Sequence, residues 1–313
     1  MENSNNMDIS HLTTFCTVVE SGSISKAARE LYVTQPAITQ KIQELEEYYQ
    51  AQLLDRTNRG VQPTEIGLYV YSEAQKIQGL LANMKREIGS LRNPSEELLI
   101  GASTTVGNYA LPCTMFVFRE KFPGFQVGIE IGNATEIFEK LLSRRIEIGI
   151  IEGPVDKPWI DRLASEDLSC LEIAQTRMIL AVDSQGQFGG LKCVKLEDLA
   201  KMPLLVREEG SGIRATIERT LSQKGYSLKQ FKQLHELSTT GAIIAAVTSG
   251  LGATLLPTMA LRKELRHNIL RPVRVENVQF KHPISLLYQE NSKKYSYNAF
   301  VELVSDPLER GFC

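Results

Sequence analysis

Leu12, Phe15, Val18 and Val19 form an apolar stripe at helical spacing that stops at Ser21-Gly22. Ser23 then offers an oxygen to cap a second short helix carrying Ala27, Ala28 and Leu31, whose small alanines permit a close helix crossing. Thr34 is placed to cap a third helix, with Pro36 in the first turn, where a missing amide costs little. Along that helix Ile38, Ile42, Leu45 and Tyr49 recur at helical intervals and are predicted to face inward together. The opposite side presents Thr39, Gln40, Gln43 and Glu47, and Gln35, Pro36 and Ala37 occupy the exposed tip. Residues 53–62 read as a hairpin with a tight turn at Asn58-Arg59-Gly60.

After Pro63 the pattern becomes one long helix starting at Thr64-Glu65. Ile66, Val70, Glu73, Ile77, Leu80, Met84, Ile88 and Leu91 follow near-heptad spacing, apolar except at Glu73, as expected of a helix that pairs with another. Gly67 and Gly79 each weaken such a helix by roughly 1 kcal/mol relative to Ala, so a packing partner is expected to hold it straight. A single helix lying across the following domain fits the same pattern. Asn93-Pro94 supplies a stop and hinge.

From residue 95 onward, short apolar runs alternate with helical patterns, which predicts an α/β domain with parallel strands. Strands are expected at 98–102, 126–131 and 146–151, with helices at 110–120 and 137–142. A second set follows, with strands at 168–173, 178–182, 204–206, 231–237 and 253–256 and helices near 214–221 and 241–248. The strand at 284–288 and the helix at 297–304 return to the first set, so the domain reads as two lobes joined by crossing strands.

With 313 residues, 42% of them hydrophobic, the chain has enough apolar content for two or three such units. Its net charge of -2 excludes a protein that coats nucleic acid by bulk basicity, and residues 1–60 alone carry five basic and eight acidic side chains. Any nucleic-acid contact must be local. Five cysteines without paired spacing (Cys16, Cys113, Cys170, Cys193 and Cys313) read as packing residues in a reducing compartment. The polar, acidic first residues lack the features of a secretory signal and no run approaches a membrane span, so a cytoplasmic location with no membrane partner is expected.

A short helix buttressing a second one with an exposed start is what a DNA major groove about 12 Å wide admits. Gln35, Thr39, Gln40 and Gln43 carry donors and acceptors for base edges, and Pro36 and Ala37 suit thymine methyls. Lys26, Lys41, Arg56 and Arg59 are the phosphate candidates. A plain three-helix interaction module accounts for the same pattern of caps.

In the α/β region, Ser103-Thr104-Thr105 follows a strand directly, the stretch from Glu208 to Arg214 repeats that arrangement, and Thr239-Thr240-Gly241 forms a third wall. Helix capping explains each of these singly; their recurrence in both lobes favours a ligand cleft, with Arg207 or Arg214 offsetting Glu208 and Glu209. No metalloprotease, nucleophile-elbow, phosphate-loop or dinucleotide motif occurs, and the four histidines are far apart, so catalytic residues, metal and cofactor are all expected to be absent. Two other functions fit the cleft: a solute-binding or scaffold protein without regulatory DNA binding, and an enzyme acting on a cleft ligand.

The stretch from Leu12 to Gly67, LTTFCTVVESGSISKAARELYVTQPAITQKIQELEEYYQAQLLDRTNRGVQPTEIG, resembles the LysR-type transcriptional regulators, and GASTTVGNYALP, FPGFQVGI, LVREEGSGIR and SGLGATLLP extend the likeness across the chain. The chain departs from the family pattern with Thr39 for Ser, Tyr49 for Leu, Gln50 for Gly, Leu54 for Phe and Pro63 for Leu, and Gln40 stands where a basic residue is frequent. The resemblance implies an N-terminal winged helix-turn-helix (1–64), a linker and dimerisation helix with hinge (65–94), and a two-lobed α/β effector domain related to periplasmic solute-binding proteins (95–313). Lobe I would hold about 95–162 and 268–313, and lobe II about 163–267. It further implies a bacterial protein that binds double-stranded DNA as homodimers pairing into homotetramers, responds to a small metabolite and contacts RNA polymerase. Positions matching the family's cleft are Ser103, Thr104, Thr105, Glu152, Arg207 and Thr240, with Ser211 beside them. The loop at 102–105 is similar to that of members controlling sulfur or carbon assimilation.

Overall fold

Asp8 caps helix α1 (Ile9–Ser21) by accepting from the amides of Ser10 and His11, and Gly22, left-handed at φ +62°, ends it. Ser23 caps α2 (Ile24–Glu30) and Thr34 caps α3 (Gln35–Tyr49), each accepting from the amide three residues on. Leu12, Phe15, Val18, Ala27, Ala28, Ile38, Ile42 and Leu45 form the resulting core, as the sequence pattern predicts. Tyr49 does not join them. It lies in the last turn of α3, is 39% exposed and packs edge-on against Tyr48, with ring centroids 5.1 Å apart.

A two-stranded antiparallel wing follows, β1 (Leu54–Thr57) and β2 (Gly60–Pro63), and leads into α4 (Glu65–Arg92). Ile66, Ile77, Leu80, Met84 and Ile88 of the expected seam are exposed along α4, but Val70 is buried with Ala74 in the core of α1–α3. Gly67 explains how α4 comes so close: a Cβ there would strike the Leu53 carbonyl oxygen. The structure is a computed structural model describing residues 7–57, 60–92, 97–290 and 292–312, so the expected hinge at Asn93-Pro94 lies outside the described residues. Residues 1–89 with 143–145 form one unit and 90–142 with 146–313 the other.

The second unit contains β3 (Glu97–Ser103), α5 (Leu111–Lys121), β4 (Gln126–Gly132), α6 (Ala134–Leu142), β5 (Ile148–Glu152) and α7 (Lys157–Ser165). Next come β6 (Leu168–Asp183), β7 (Cys193–Val194), α8 (Leu196–Leu199), β8 (Pro203–Arg207), α9 (Gly212–Ser222), β9 (Gln233–Leu237), α10 (Thr240–Thr248) and β10 (Ala253–Pro257). The chain closes with α11 (Arg262–Arg266), β11 (Leu270–Val275), β12 (Phe280–Gln289) and α12 (Tyr295–Ser305). The main strand order is β4-β3-β5-β12-β6-β10-β8-β9.

Pairs β3–β4, β3–β5, β8–β9 and β8–β10 are parallel, as the alternation of strands and helices predicts. The centre differs: β12 is antiparallel to both β5 and β6, and β6 is antiparallel to β10. Two strands expected at 168–173 and 178–182 are one 16-residue strand, because Ala174–Arg177 keeps pairing with β12 through a bulge at Ile284/Ser285. β6 and β12 therefore run through both lobes, each of which has its own core. The first holds Leu98, Ile100, Phe118, Ile148, Leu286 and Phe300, and the second Leu180, Leu204, Ile217, Ile243 and Leu255. Leu270, Val273 and Val275, within the stretch assigned by sequence to lobe I, pack in the core of lobe II because β11 pairs with the far end of β6. Cys113 also departs from the packing expectation: it is disulfide-bonded, whereas Cys16, Cys170 and Cys193 are free.

Candidate DNA-reading edge and effector cleft

Gln35, Pro36, Gln40 and Gln43 are exposed and Ala37 and Thr39 half-buried, so the six proposed base-reading residues share the start and outer side of α3. Gln40 is held along the helix, donating to Glu44 at 2.8 Å. Among the phosphate candidates, Lys26 is exposed on α2, while Lys41 donates to Ser10 Oγ on α1 at 2.7 Å and is thereby anchored. Arg56 belongs to β1, and Arg59 lies outside the described residues.

Helix α3 is tied to its surroundings through its C-terminal half. His11 on α1 places Nδ1 2.9 Å from Asp8 and Nε2 2.8 Å from Glu44 on α3. Burial disfavours the imidazolium, but the bonds to Glu44 and Asp8 outweigh it and hold the pKa above the usual histidine value. Asp8 is lowered to about 2, chiefly by its bond with Ser10 and less so by His11. Two residues on from Glu44, Glu46 Oε1 accepts from the amides of Leu53 (2.7 Å) and Leu54 (3.2 Å), fixing the passage into the wing. The wing returns to the first helix pair, where Val61 N donates to the Gly22 carbonyl at 3.0 Å.

In the second unit, the expected cleft residues divide into three groups. Thr105 and Thr240, both buried, bring their hydroxyl oxygens within 3.3 Å across the lobes, and Arg207 Nη1 donates to Thr240 at 2.9 Å. The remaining donors of Arg207 form a bidentate pair with Glu208 at 2.7 and 2.8 Å, which neutralises this buried cation within its own lobe. Ser103 Oγ accepts from the Glu152 amide at 3.1 Å, and Thr104 donates to the Gly132 carbonyl at 3.0 Å. Glu152 and Ser211 line a cavity of about 230 Å3 between the lobes, together with Thr135, Trp159, Glu209 and Arg214. Thr105, Arg207 and Thr240 do not line it.

Sequence reasoning set His282 aside, yet it is fully buried and places Nε2 3.1 Å from Glu152 and Nδ1 2.7 Å from Thr216 Oγ1. The Thr216 hydroxyl also lies 2.9 Å from the Gly212 carbonyl. Alternation along 280–289 was the available signal, since it buries residue 282 alongside Ile284. The loops beside this chain touch directly: Thr135 N donates to the Gly210 carbonyl at 3.2 Å. A Cβ on Gly212 would strike the Glu152 carbonyl oxygen, and Gly153 at φ +97° faces it. Arg214 lies 3.5 Å from Glu209, the acid it was expected to offset, and also pairs with Glu218 at 2.9 Å and with Glu236. Trp159 stacks on Phe138 at 4.1 Å, a packing role.

Residues 9–68 match the bacterial regulatory helix-turn-helix protein of the lysR family, and residues 92–308 match the LysR substrate binding domain. A probable RuBisCO transcriptional regulator of Cyanidioschyzon merolae (strain NIES-3377 / 10D) is 31% identical over 293 residues, covering 93% of this chain and 94% of the relative. One from Nostoc sp. (strain PCC 7120 / SAG 25.82 / UTEX 2576) is 31% identical over 275 residues, covering 88% of this chain and 80% of the relative. In fold, the chain is similar to the crystal structure of CbnR, a LysR family transcriptional regulator (TM-score 0.63, 22% identity, 95% of this chain and 98% of that one). It is also similar to a full-length OxyR from Pseudomonas aeruginosa (TM-score 0.56, 17% identity, 96% and 99%). The two matched regions join a DNA-binding winged helix-turn-helix to an effector-binding domain, and the chain belongs to the LysR family of transcriptional regulators.

Proposed function

We propose that this protein binds specific operators as a homodimer paired into a homotetramer, and that a small metabolite bound between its α/β lobes controls the affinity or bend of that DNA. The observation that carries the reading is the exposed edge from Gln35 to Gln43, with amide and hydroxyl groups on a helix whose other side is buried. The exposed row Ile77, Leu80, Met84 and Ile88 on α4 supports pairing of two chains, which would place two reading helices on neighbouring major grooves. Gln35, Thr39, Gln40 and Gln43 read base edges in this proposal, Pro36 and Ala37 meet thymine methyls, and Lys26, Lys41, Arg56 and Arg59 serve phosphates. Ser103, Thr104, Thr105, Glu152, Arg207, Ser211 and Thr240 form the effector site and its hydrogen-bonded walls. Contact with RNA polymerase belongs to the same reading.

An effector moves the equilibrium only if it prefers one lobe arrangement. The bonds between Thr105 and Thr240 and between Thr135 and Gly210 are the contacts such a ligand would strengthen or replace. Selection of genomic fragments with the purified protein tests the proposal: recovered fragments should share a site and lie beside the controlled genes. The relatives' names make carbon-fixation genes the first to examine. Fragments recovered at random, with no common site, would defeat the proposal.

A further inference from the structure

A second groove, of about 810 Å3, lies on lobe II and the crossing strands and shares no lining residue with the interlobe cavity. Met178, Ile179, Val273 and Phe280 are among the residues that line it, and Arg177, Lys192, Arg274 and Lys281 stand exposed around it. No Asp or Glu lines it. Arg177 on β6 and Lys281 on β12 are direct cross-strand partners, an arrangement in which like charges repel. Arg274 lies on the next strand, opposite Ile179 if the ladder continues one step past Val273↔Leu180.

Some cations elsewhere in this unit are paired, Arg162 with Glu139, Lys201 with Asp198 and Arg214 with Glu218. Around the groove, none of the four cations forms an ion pair among the described residues, and Arg274 donates only to Cys193 Sγ at 3.5 Å. A repulsive pair without a counter-charge costs folding stability, and an anion in the groove would relieve that cost. We propose that this groove is a second ligand site, separate from the cleft, for a small phosphorylated metabolite carrying two or more negative charges. Four cations around one groove exceed what a monoanion neutralises, the volume falls in the usual range for small-molecule sites, and guanidinium forks suit phosphate oxygens. Because β6 and β12 also run through lobe I, an anion held by both braces the crossing pair.

Inorganic pyrophosphate is the probe, titrated calorimetrically and by thermal unfolding into the full-length protein, with sodium chloride at matched ionic strength as control. Pyrophosphate should bind saturably and raise the unfolding midpoint, whereas chloride should not. An Arg177→Gln/Lys281→Gln double variant should bind at least tenfold more weakly, Arg177→Lys should keep most of the affinity, and Thr105→Val in the cleft should bind as wild type. Without pyrophosphate, the double variant should unfold at or above the wild-type midpoint, since its repulsion is gone. Undiminished binding by the double variant, no saturable binding by wild type, or loss of binding in Thr105→Val would overturn the proposal. A lower midpoint for the ligand-free double variant would do the same. Loss of affinity for random duplex DNA in that variant would instead assign the groove to nucleic-acid phosphates and also overturn it.

Discussion

Thr240 accepts from Arg207 at 2.9 Å while its hydroxyl oxygen lies 3.3 Å from that of Thr105 in the other lobe, so one side chain serves both a buried cation and the lobe junction. Thr240→Val should lower unfolding stability by about 1–3 kcal/mol, because it strands a buried guanidinium donor. Thr105→Val leaves the Arg207 bond in place and should cost about 0.5–1.5 kcal/mol. Urea unfolding of both variants checks the order, and equal losses would remove Arg207 from the explanation.

His11 gives the reading head a pH dependence of known sign. Its folded pKa is raised, with burial opposing and the bonds to Glu44 and Asp8 prevailing. The stabilisation is therefore complete below the ordinary histidine value of 6.5 and lost as pH rises through the higher folded value. The stability difference between wild type and His11→Gln should be largest at pH 6 and shrink on the alkaline side. A difference that grew with pH would contradict the assignment.

Gln50 ends α3 in the left-handed region at φ +50°, where a glycine would carry no Cβ penalty. Gln50→Gly should raise stability by about 0.5–1 kcal/mol, read as a higher unfolding midpoint.

Gly67 sets helix propensity against packing. Alanine would gain roughly 1 kcal/mol of propensity, but its Cβ would strike the Leu53 carbonyl, an overpacking cost of about 1–3 kcal/mol. Gly67→Ala should therefore destabilise the protein, and an increase in midpoint would show that α4 can move away from the wing.

Gln35→Ala should reduce discrimination between a selected operator and random DNA by about 1–3 kcal/mol if its amide makes a bidentate base contact. Equal losses on both DNAs, measured by fluorescence anisotropy at one salt concentration, would make it a positioning residue.

The first unit was largely legible in the sequence because its determinants are local. Ser23 and Thr34 cap their own helices, Gly22 stops α1, and Ile38, Ile42 and Leu45 share one face through helical period alone. Tyr49 fits that period too, but period does not say where a core ends, and the core ends before it. In the second unit the parallel pairs followed from alternation, whereas the single long strand β6 did not, because its middle is held by β12 more than a hundred residues later.

The chain's pattern by itself therefore determined many of the helices and strands, though not α7, β11 or the continuity of β6, and which residue types stand near the exposed edge of α3 or at strand ends. Tertiary structure decided how those side chains are used. It turned Ser103 and Thr104 onto backbone groups, set Arg207 against Glu208 and Thr240, joined His282 to Glu152, and left Arg177 facing Lys281. Capping and periodicity act within a few residues, whereas Thr105–Thr240 and Glu152–His282 join positions 135 and 130 apart, a pairing that exists only once the strands have crossed.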